Sequence, residues 1–425
     1  MYKRQVSGKV PRVIVIGGGA AGFFGAIACA ENTKDDVDIR IFEKSSKFLS
    51  KVKISGGGRC NVTHDLQDPR SFLEHYPRGE RELIGPFTRW NQEDTVWWFR
   101  EHGVDLKTED DGRIFPVSDS SQTIIDSLIS AAREGSVSTI NNCTVNRIAK
   151  LGDGSFQIYI NGEENPIEVD FILIATGGIR SASSRELLHS FDHKYSDPVP
   201  SLFTFEIEDY TLTDLTGLSV TNACVEVPSL GIKNYGPLLI THWGLSGPVI
   251  LKLSALGARV MEEINYQFMI RVNWLGEAWT SDRLRRIIDL MRDERGSRLV
   301  VKKSPLEETP NRLWKRICMR AGIKSELKWS ELKRDSMMEM INFLISEEFE
   351  VIGKSLNKEE FVTCGGVRME DIDLKTMESK LVKNLFFAGE VMDVDGLTGG
   401  FNFQSAWTTG RIAGEEIAQR CMTSF

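Results

Sequence analysis

Hydrophobic residues are most densely patterned near the start of the chain, in residues 13–30, which read VIVIGGGAAGFFGAIACA. The apolar run Val13 to Ile16 predicts a short buried strand, and the three glycines after it predict a tight turn. Small and apolar residues from Ala20 onwards predict a helix. A second strand-like run, Val37 to Phe42, ends at the acidic Glu43. The pattern therefore predicts the beginning of a βαβ unit with parallel strands.

Helical and strand-like periods continue to alternate along the chain. Asn91 is a candidate N-cap for one helix, and a second helix is expected at residues 121–134. Three strand-like runs separated by Gly-Asp-Gly and Asn-Gly turns predict a β-meander inserted in the βαβ fold: residues 144–151, 155–160 and 169–175.

The middle of the chain has a different pattern. From about residue 198, short strands are punctuated by glycine and proline, residues 277–343 show helical periodicity, and a strand-like run follows at 345–352. We therefore expect three domains: an α/β domain of residues 1–197 and 358–425, a β-rich insertion of residues 198–275 and 344–357, and a nested helical insertion of residues 276–343.

The first glycine cluster has the spacing of a dinucleotide fingerprint, Gly17-x-Gly19-x-x-Gly22. These glycines permit a tight turn, close approach of a pyrophosphate and close packing of helix on strand, and the N–H groups at Ala20 and Ala21 would hold the diphosphate. Glu43 lies 21 residues after Gly22, where a carboxylate accepts hydrogen bonds from a ribose 2′-OH and repels a 2′-phosphate. The adenosine of FAD or NAD fits this position, and that of NADP does not.

The same apolar run could be a membrane span or a signal peptide. Five glycines within residues 13–30 make a poor span, however, and the second strand with its acidic end follows at the distance that the fingerprint requires. We therefore prefer the nucleotide-binding interpretation and expect no membrane association.

A second glycine cluster lies in residues 47–63, KFLSKVKISGGGRCNVT. Gly56 to Gly58 precede Arg59, Cys60 and Asn61, an order that brings backbone N–H groups and a guanidinium close to a ligand. A flexible linker is the alternative, but this order of residues is not a linker composition. Cys60 fits a small packed residue better than a nucleophile, because no histidine lies beside it in the sequence.

A third cluster follows a strand expected at residues 385–388. That strand ends at Gly389 and Glu390, a layout in which an acid meets the ribityl chain or pyrophosphate of a flavin. The glycine-rich segment 396–402, GLTGGFN, then predicts a helix start that offers N–H donors and about half a positive charge to the pyrimidine edge of a flavin. A flavin explains glycine-rich helix starts at both ends of the chain, whereas a loosely held NAD explains one. The predicted fold is α/β, a glutathione-reductase-type FAD-binding Rossmann domain with an inserted β-barrel-like domain and a nested helical domain.

Composition narrows the class of protein. The 425 residues are 41% hydrophobic and 26% charged with a net charge of −8, so the chain as a whole should not bind nucleic acid. Seven cysteines without a CxxC pair argue against a disulfide framework and against a dithiol-disulfide flavin reductase, and they indicate a cytoplasmic protein. Metals are not expected, because His189 and His193 have i, i+4 spacing but Ser190 stands where a zincin has its catalytic Glu.

Positive charge is concentrated in residues 281–334, which contain sixteen Lys or Arg and eight Asp or Glu. A solvated helical face is one interpretation, and a surface for structured RNA is the other. The cations in question are Arg283, Arg285, Arg286, Arg312, Lys315, Arg316, Lys333 and Arg334. Trp314 and Trp329 could stack on bases, although core packing is the simpler use for them.

Seven segments together resemble the BaiN/RdsA family of bacterial NAD(P)/FAD-dependent oxidoreductases, which are aminoacetone-oxidase-like flavoproteins. These segments are residues 17–22, 54–63 (ISGGGRCNVT), 112–119 (GRIFPVSD), 175–178 (ATGG), 241–248 (THWGLSGP), 363–367 (TCGGV) and 389–407. The resemblance covers nearly the whole chain and implies FAD, three domains and reductase or dehydrogenase activity. Residues 179–185, IRSASSR, and Leu49 depart from the family pattern, so substrate specificity need not be shared.

The expected cofactor-binding residues lie at strand ends, glycine-rich turns and helix starts. They are Gly17, Gly19, Ala20, Ala21, Gly22, Glu43, Lys44, Lys51, Ser55, Gly56, Gly57, Arg59, Cys60, Asn61, Val145, Ala175, Thr176, Gly177, Gly389, Glu390, Asp395, Gly399, Gly400, Phe401 and Asn402.

The resemblance implies reduction of a carbon-carbon double bond in an electron-poor small molecule. Because the chain has no second dinucleotide fingerprint, NAD(P)H would be a transient donor. Such a reduction needs a proton source, and His242 is the candidate because histidine can donate near neutral pH. Arg59 is a second candidate catalytic residue. Flavin-dependent reduction of uridine in RNA by way of the basic helical segment is an alternative. An amine or small-molecule oxidase, or a flavin redox sensor without catalysis, is another.

Overall fold

The computed structural model describes residues 10–33, 36–66, 68–355 and 362–423. It divides into two compact units, residues 1–200 with 358–425, and residues 201–357. Within the described residues, no helix has the length and apolar character needed to cross a bilayer.

The elements of the first unit begin with β1 (Arg12–Ile16), α1 (Ala20–Asn32), β2 (Asp38–Phe42), α2 (Ser50–Gly58), β3 (Thr63–His64), α3 (Pro69–Leu73), α4 (Ile84–Arg89), α5 (Gln92–Glu101), β4 (Leu106–Thr108), β5 (Arg113–Pro116), α6 (Ser121–Glu134), β6 (Ser138–Ile140), β7 (Val145–Lys150), β8 (Phe156–Ile160), β9 (Ile167–Val169), β10 (Phe171–Ile174), α7 (Ala182–His189) and β11 (Tyr195–Ser201). The second unit contains β12 (Thr204–Glu206), β13 (Ser219–Val227), β14 (Ile232–Thr241), β15 (Gly244–Ser246), α8 (Pro248–Glu263), β16 (Phe268–Asn273), α9 (Ser281–Arg295), α10 (Asn311–Arg320), α11 (Arg334–Ile345), β17 (Glu347–Val351) and β18 (Gly353–Ser355). The first unit ends with β19 (Val362–Val367), β20 (Ile372–Asp373), β21 (Glu378–Ser379), β22 (Leu385–Phe387) and α12 (Phe401–Thr423).

The main sheet of the first unit has the strand order β20-β21-β22-β10-β1-β2-β6. Strands β22, β10, β1, β2 and β6 are parallel, with Ile14 opposite Ile172 on one side and Arg40 on the other. Helices α1 and α12 pack so closely that a Cβ on Gly414 would lie 2.1 Å from the Gly25 carbonyl oxygen. The buried parallel strands and their covering helices form the doubly wound core that the sequence predicts.

Side-chain caps set the starts of two predicted helices. The Asn91 side chain accepts hydrogen bonds from the N–H groups of Glu93 and Asp94, and Asp94 completes a capping box before α5. Ser120 caps α6, which spans the residues that the periodicity predicts.

The β-meander differs from its prediction in one strand. It consists of β7, β8 and β9, whereas the predicted third run contributes β10 to the parallel sheet. Asp170 separates β9 from β10, and its side chain accepts a hydrogen bond from the Arg12 N–H. The chain therefore leaves the meander at this residue and enters the main sheet, a change that apolar content alone did not reveal.

The second unit contains a seven-stranded antiparallel sheet with the order β17-β16-β13-β14-β15-β12-β18. Its two end strands, β17 and β18, are separated in the sequence by Ile352 alone. The Ile352 N–H donates to the Glu206 carbonyl oxygen of β12 at 3.0 Å. The sheet thus curls until one chain segment pairs with both of its ends, as a barrel-like domain requires. Helix α8 contacts β14 and was not predicted, although Pro248 at its first position marks a helix start.

Sheet and helices of the second unit share one hydrophobic core. Trp274 from the sheet side and Trp314 and Trp329 from the helical segment are all within it, each 1% exposed. Arg316 and Glu347 are buried beside this core as an ion pair of 2.9 Å. The division of this unit into separate β-rich and helical domains stays a prediction.

Candidate functional site

The first glycine turn follows β1 at the carboxyl end of the parallel sheet. Gly17 has a φ of +115°, and a Cβ there would lie 2.3 Å from the Ala175 carbonyl oxygen. A Cβ on Gly22 would lie 2.0 Å from the Gly17 carbonyl oxygen, so the third glycine brings α1 onto the turn. Gly19 is the N-cap of α1 and has nothing within 4 Å of a Cβ built on it. The backbone N–H groups of Ala20 and Ala21 therefore begin a helix beside open space, as anion binding requires.

Glu43 lies at the end of β2 and is held by this turn. Its two carboxylate oxygens accept hydrogen bonds of 2.8 Å from the N–H groups of Gly18 and Ser45. A carboxylate has about four acceptor positions, so two remain for ribose hydroxyls.

Gly17 and Glu43 line a cavity that opens to solvent. Lys44, Val145 and Thr176, which the sequence places at the cofactor, are in the same lining. The lining also contains residues that the sequence did not single out: Cys143, Thr144, Ser183, Ser184 and Leu187. The last three come from α7, within the segment that departs from the family pattern or just after it, and no motif marks them.

The second glycine cluster forms a kinked end to α2. Gly56, Gly57 and Gly58 have φ values of +58°, +69° and +86°, and the Cys60 N–H turns back to the Ser55 carbonyl oxygen at 3.0 Å. A Cβ on Gly57 or Gly58 meets nothing within 4 Å, so this backbone also borders open space. Burial raises the pKa of the Cys60 thiol to about 12, which agrees with a packed residue and not with a nucleophile.

Arg59 is held by side chains of neighbouring segments. Its guanidinium donates to Glu109 at 2.5 Å and lies 4.0 Å from the centre of the Phe115 ring. The hydrogen bond from Arg59 to Glu109 raises the pKa of Arg59, so the side chain is a fixed cation beside the glycine loop.

Glu390, which follows β22, meets helix α2, the start of β19 and the turn after β10. Its carboxylate accepts hydrogen bonds from Lys51 Nζ at 2.5 Å and from the Thr363 N–H at 2.7 Å. A Cβ on Gly177 would lie 3.8 Å from its Oε2, which brings the 175–178 turn to the same acid. The predicted residues Lys51, Gly177, Gly389 and Glu390 therefore come together, although they are far apart in sequence.

The loop before α12 is braced from within. The Asn402 amide exchanges two hydrogen bonds with the Gly396 backbone, at 2.9 and 2.7 Å, and Asp395 is fully buried in an ion pair with Arg78. A Cβ on Gly400 would lie 2.7 Å from Thr63 backbone atoms. Asp395 and Asn402 thus fix the loop that contains Gly399, Gly400 and Phe401.

Sequence reasoning missed His64, the end residue of β3. Its Nδ1 lies 3.0 Å from the Gly399 carbonyl oxygen, and its ring stacks on Phe401 with 4.9 Å between centroids. The contact joins positions 335 residues apart, and the only available signal is the position of His64 three residues after Asn61 in the second glycine cluster.

His242 belongs to the second unit, in the turn between β14 and β15. Its exposed ring lies 3.5 Å, centroid to centroid, from that of Trp243. Its role as a proton donor stays a prediction.

Only some of the cations in the basic segment 281–334 are exposed. Six of its singled-out cations are exposed: Arg283, Arg286, Arg312, Lys315, Lys333 and Arg334. Arg316 is buried and bonded to Glu347, Asp209 and Thr211, so its prediction as a surface cation is wrong. Trp314 and Trp329 are core residues, which excludes base stacking by them.

Three features of the first unit fit a bound FAD. Backbone borders open space at Gly19, Gly57 and Gly58, and the cavity at Glu43 lies at the same sheet edge. The third is the buried Oδ1 of Asn61, which has no hydrogen-bond partner among the described residues. Leaving such an atom unpaired costs about 1–3 kcal/mol, so it indicates a ligand donor.

Comparisons with known proteins agree with this geometry. Residues 11–416 match the HI0933-like protein Rossmann domain family. The chain is 26% identical to a 3-dehydro-bile acid delta(4,6)-reductase of Clostridium scindens, covering 96% of this chain and 99% of that one. It is 27% identical to a ribosomal RNA dihydrouridine synthase of Escherichia coli, covering 95% and 97%.

A solved structure of 3-ketosteroid-delta4-(5alpha)-dehydrogenase from Rhodococcus jostii shares the fold, with a TM-score of 0.50 at 13% identity over 97% of this chain and 98% of that one. The fold is thus a mixed α/β, Rossmann-type FAD-binding fold with an additional inserted unit, as predicted. Family and fold together identify an FAD-dependent oxidoreductase. The chain belongs to the HI0933-like protein Rossmann domain family.

Proposed function

We propose that this FAD-dependent oxidoreductase uses NAD(P)H to reduce a carbon-carbon double bond in an electron-poor small molecule. The observation that carries the proposal is a shared chemistry. Two relatives that match nearly the whole chain are named for a bile acid and for ribosomal RNA, and both names describe addition of hydrogen to a ring double bond. Such different substrates with one reaction favour the reaction as the common property.

FAD, when bound, supplies hydride transfer. The chain would hold its diphosphate at the N-terminus of α1 and its ribose at Glu43. The backbone of Gly399 to Phe401, at the positive end of α12, would stabilise negative charge at the pyrimidine edge. The chain has no second dinucleotide fingerprint, so NADH or NADPH would bind transiently.

The reduction also needs a proton, and we propose His242 as its source. His242 is exposed in the turn between β14 and β15, so its ring can exchange a proton with solvent. His242→Asn should keep flavin reduction by the donor and slow turnover of the alkene. Unchanged turnover would remove His242 from the mechanism.

The test is anaerobic reduction of the purified holoprotein. NADH or NADPH should bleach the flavin absorbance, and a conjugated cyclic enone should restore it with formation of the saturated ketone. Reoxidation by oxygen alone, with hydrogen peroxide formed at the same rate, would favour the oxidase alternative. Absence of flavin reduction by either nucleotide would contradict the proposal and leave the redox sensor as the remaining alternative.

Reduction of uridine in structured RNA is the second candidate, favoured by exposed cations on α9 and α10. Tyr210, 89% exposed, begins the 3₁₀ segment 210–215, and Arg312 of this surface donates to the Asp214 carbonyl oxygen in the same segment. An exposed aromatic ring beside cations is a platform for base stacking.

A charge-reversal series tests the RNA candidate. Arg286→Glu and Lys315→Glu should weaken RNA binding, with the slope of log K against log salt falling by about 0.7–0.9 per lost phosphate contact. Lys150→Glu, an exposed cation at the end of β7 in the other unit, is the control. Absence of RNA binding at low salt would contradict this candidate.

A further inference from the structure

His64 is fixed to the loop that starts α12 by two contacts. Its Nδ1 is 3.0 Å from the Gly399 carbonyl oxygen, and its ring plane is within 23° of that of Phe401. A carbonyl oxygen only accepts, so Nδ1 carries a hydrogen and donates it. Nε2 is then the position at which the ring gains or loses a proton.

The groups around His64 shift its pKa in opposite directions, with a net lowering. Burial, the larger effect, and the charge of His75 lower the pKa of His64, while the Gly399 carbonyl and the carboxylates of Asp65 and Asp111 oppose this shift. The rings of His75 and His64 are 6.2 Å apart, and both stack on Phe401. Arg113 lies opposite His64 in the β3–β5 pair, and its Nε forms an ion pair with the Asp111 carboxylate at 2.7 Å. The first turn of α12 contributes no acidic residue.

We propose that His64 is a positioning residue that takes up a proton when the flavin held at Gly399 to Phe401 is reduced. Reduction adds negative charge at the glycine-rich start of α12, and His64 is hydrogen-bonded to that start through Gly399. A neighbouring negative charge favours the charged form of an imidazole. The proton comes from solvent, because His64 is only partly buried.

The inference rests on the FAD site and not on the substrate. It requires that the reduction potential of the bound flavin depend on pH through this residue. One further proton per two electrons multiplies the apparent equilibrium constant for reduction tenfold for each unit fall in pH, which equals about 30 mV per pH unit for a two-electron couple. This added slope is expected between the pKa values of His64 in the oxidised and reduced holoprotein.

The experiment compares reduction potentials across pH for the wild type, His64→Asn and His75→Asn holoproteins. The asparagine amide of the first variant keeps an N–H donor for Gly399 but cannot titrate, so the added slope should disappear. His75→Asn is the matched control, because it removes a ring from the same stack. It should move the pH window upward, since a like charge is removed, and keep the slope.

A His64→Asn holoprotein with the wild-type slope would overturn the inference. If that variant does not hold FAD, histidine-labelled wild type gives the answer by NMR, where the His64 ring should titrate at higher pH after reduction. An unchanged His64 titration would also overturn it. A protein that shows the slope and reduces no alkene would contradict the proposed function alone, so the two failures are distinguishable.

Discussion

Replacing Gly19 with alanine separates cofactor binding from folding at the first glycine turn. Gly19 has φ −94° and ψ −170°, which alanine adopts without strain, and a Cβ there meets no protein atom within 4 Å. The protein should therefore accept the methyl group. As an N-cap change it should alter the free energy of unfolding of the apoprotein by less than about 1 kcal/mol.

The same methyl group should weaken FAD binding strongly. The second glycine of the fingerprint is where the backbone approaches a pyrophosphate, and the space beside Gly19 is open in the protein. Forcing a methyl into a close contact costs about 1–3 kcal/mol. The dissociation constant for FAD should therefore rise about 5- to 150-fold. Gly19→Trp fills the space and should abolish binding.

The assay is titration of apoprotein with FAD, followed by flavin fluorescence, with urea unfolding of each apoprotein in parallel. Gly85→Ala in α4 is the matched control, because its Cβ also meets nothing within 4 Å but lies away from the turn. Gly22→Ala, whose Cβ would lie 2.0 Å from the Gly17 carbonyl oxygen, should lose stability as well as FAD. A Gly19→Ala protein with wild-type affinity would refute the placement of the pyrophosphate at this turn.

Three further predictions concern the framework around the site. Burial lowers the pKa of His193. The unfolded chain therefore binds more protons than the folded protein below about pH 6.5, and stability is lost as pH falls. His193→Gln should flatten this part of the pH profile of urea unfolding, and an unchanged profile would contradict the prediction. Glu347→Leu leaves the buried Arg316 with Asp209 as its remaining carboxylate partner and removes the acceptor of the Trp274 Nε1–H, so it should cost about 3–5 kcal/mol in urea unfolding. Arg320→Met, at the more exposed side of the network, should cost less, and equal losses would contradict this. Cys60, with a pKa of about 12, should resist iodoacetamide at pH 8 in the folded protein and react in urea, as measured by mass spectrometry.

Local signals determined which elements could be predicted. Strand β1, the turn and α1 follow from a β-branched run, glycines and small residues in immediate succession, and α6 follows from its period and its serine cap. Strand β9 has only three residues, and α8 lacks a side-chain cap and is marked only by Pro248 at its first position, so neither was predicted.

Long-range contacts determined what could not be predicted in the site. The glycine clusters were identified because their residue types are unusual, but Glu390 meets Lys51 across 339 positions and His64 meets Gly399 across 335. Arg316 was predicted to be a surface cation, although its position along α10 indicates that it is buried. It lies three residues after Leu313 and one before Ile317, which places it next to the buried stripe of α10.

The predicted cofactor site consists largely of backbone groups, and this explains how one family can retain its chemistry while substrates change. At Gly19, Gly57 and Gly58 the backbone itself borders open space, so a relative with 26–27% identity needs to share only the glycines and their spacing to form the same surface. Substrate contacts made by side chains have no such constraint, and residues 179–185 are one place where this chain departs from the family pattern. Family membership therefore supports an FAD-dependent oxidoreductase, and the reaction and substrate stay proposals. A steroid enone and an RNA fragment should be compared as acceptors on one holoprotein preparation, with the donor held constant.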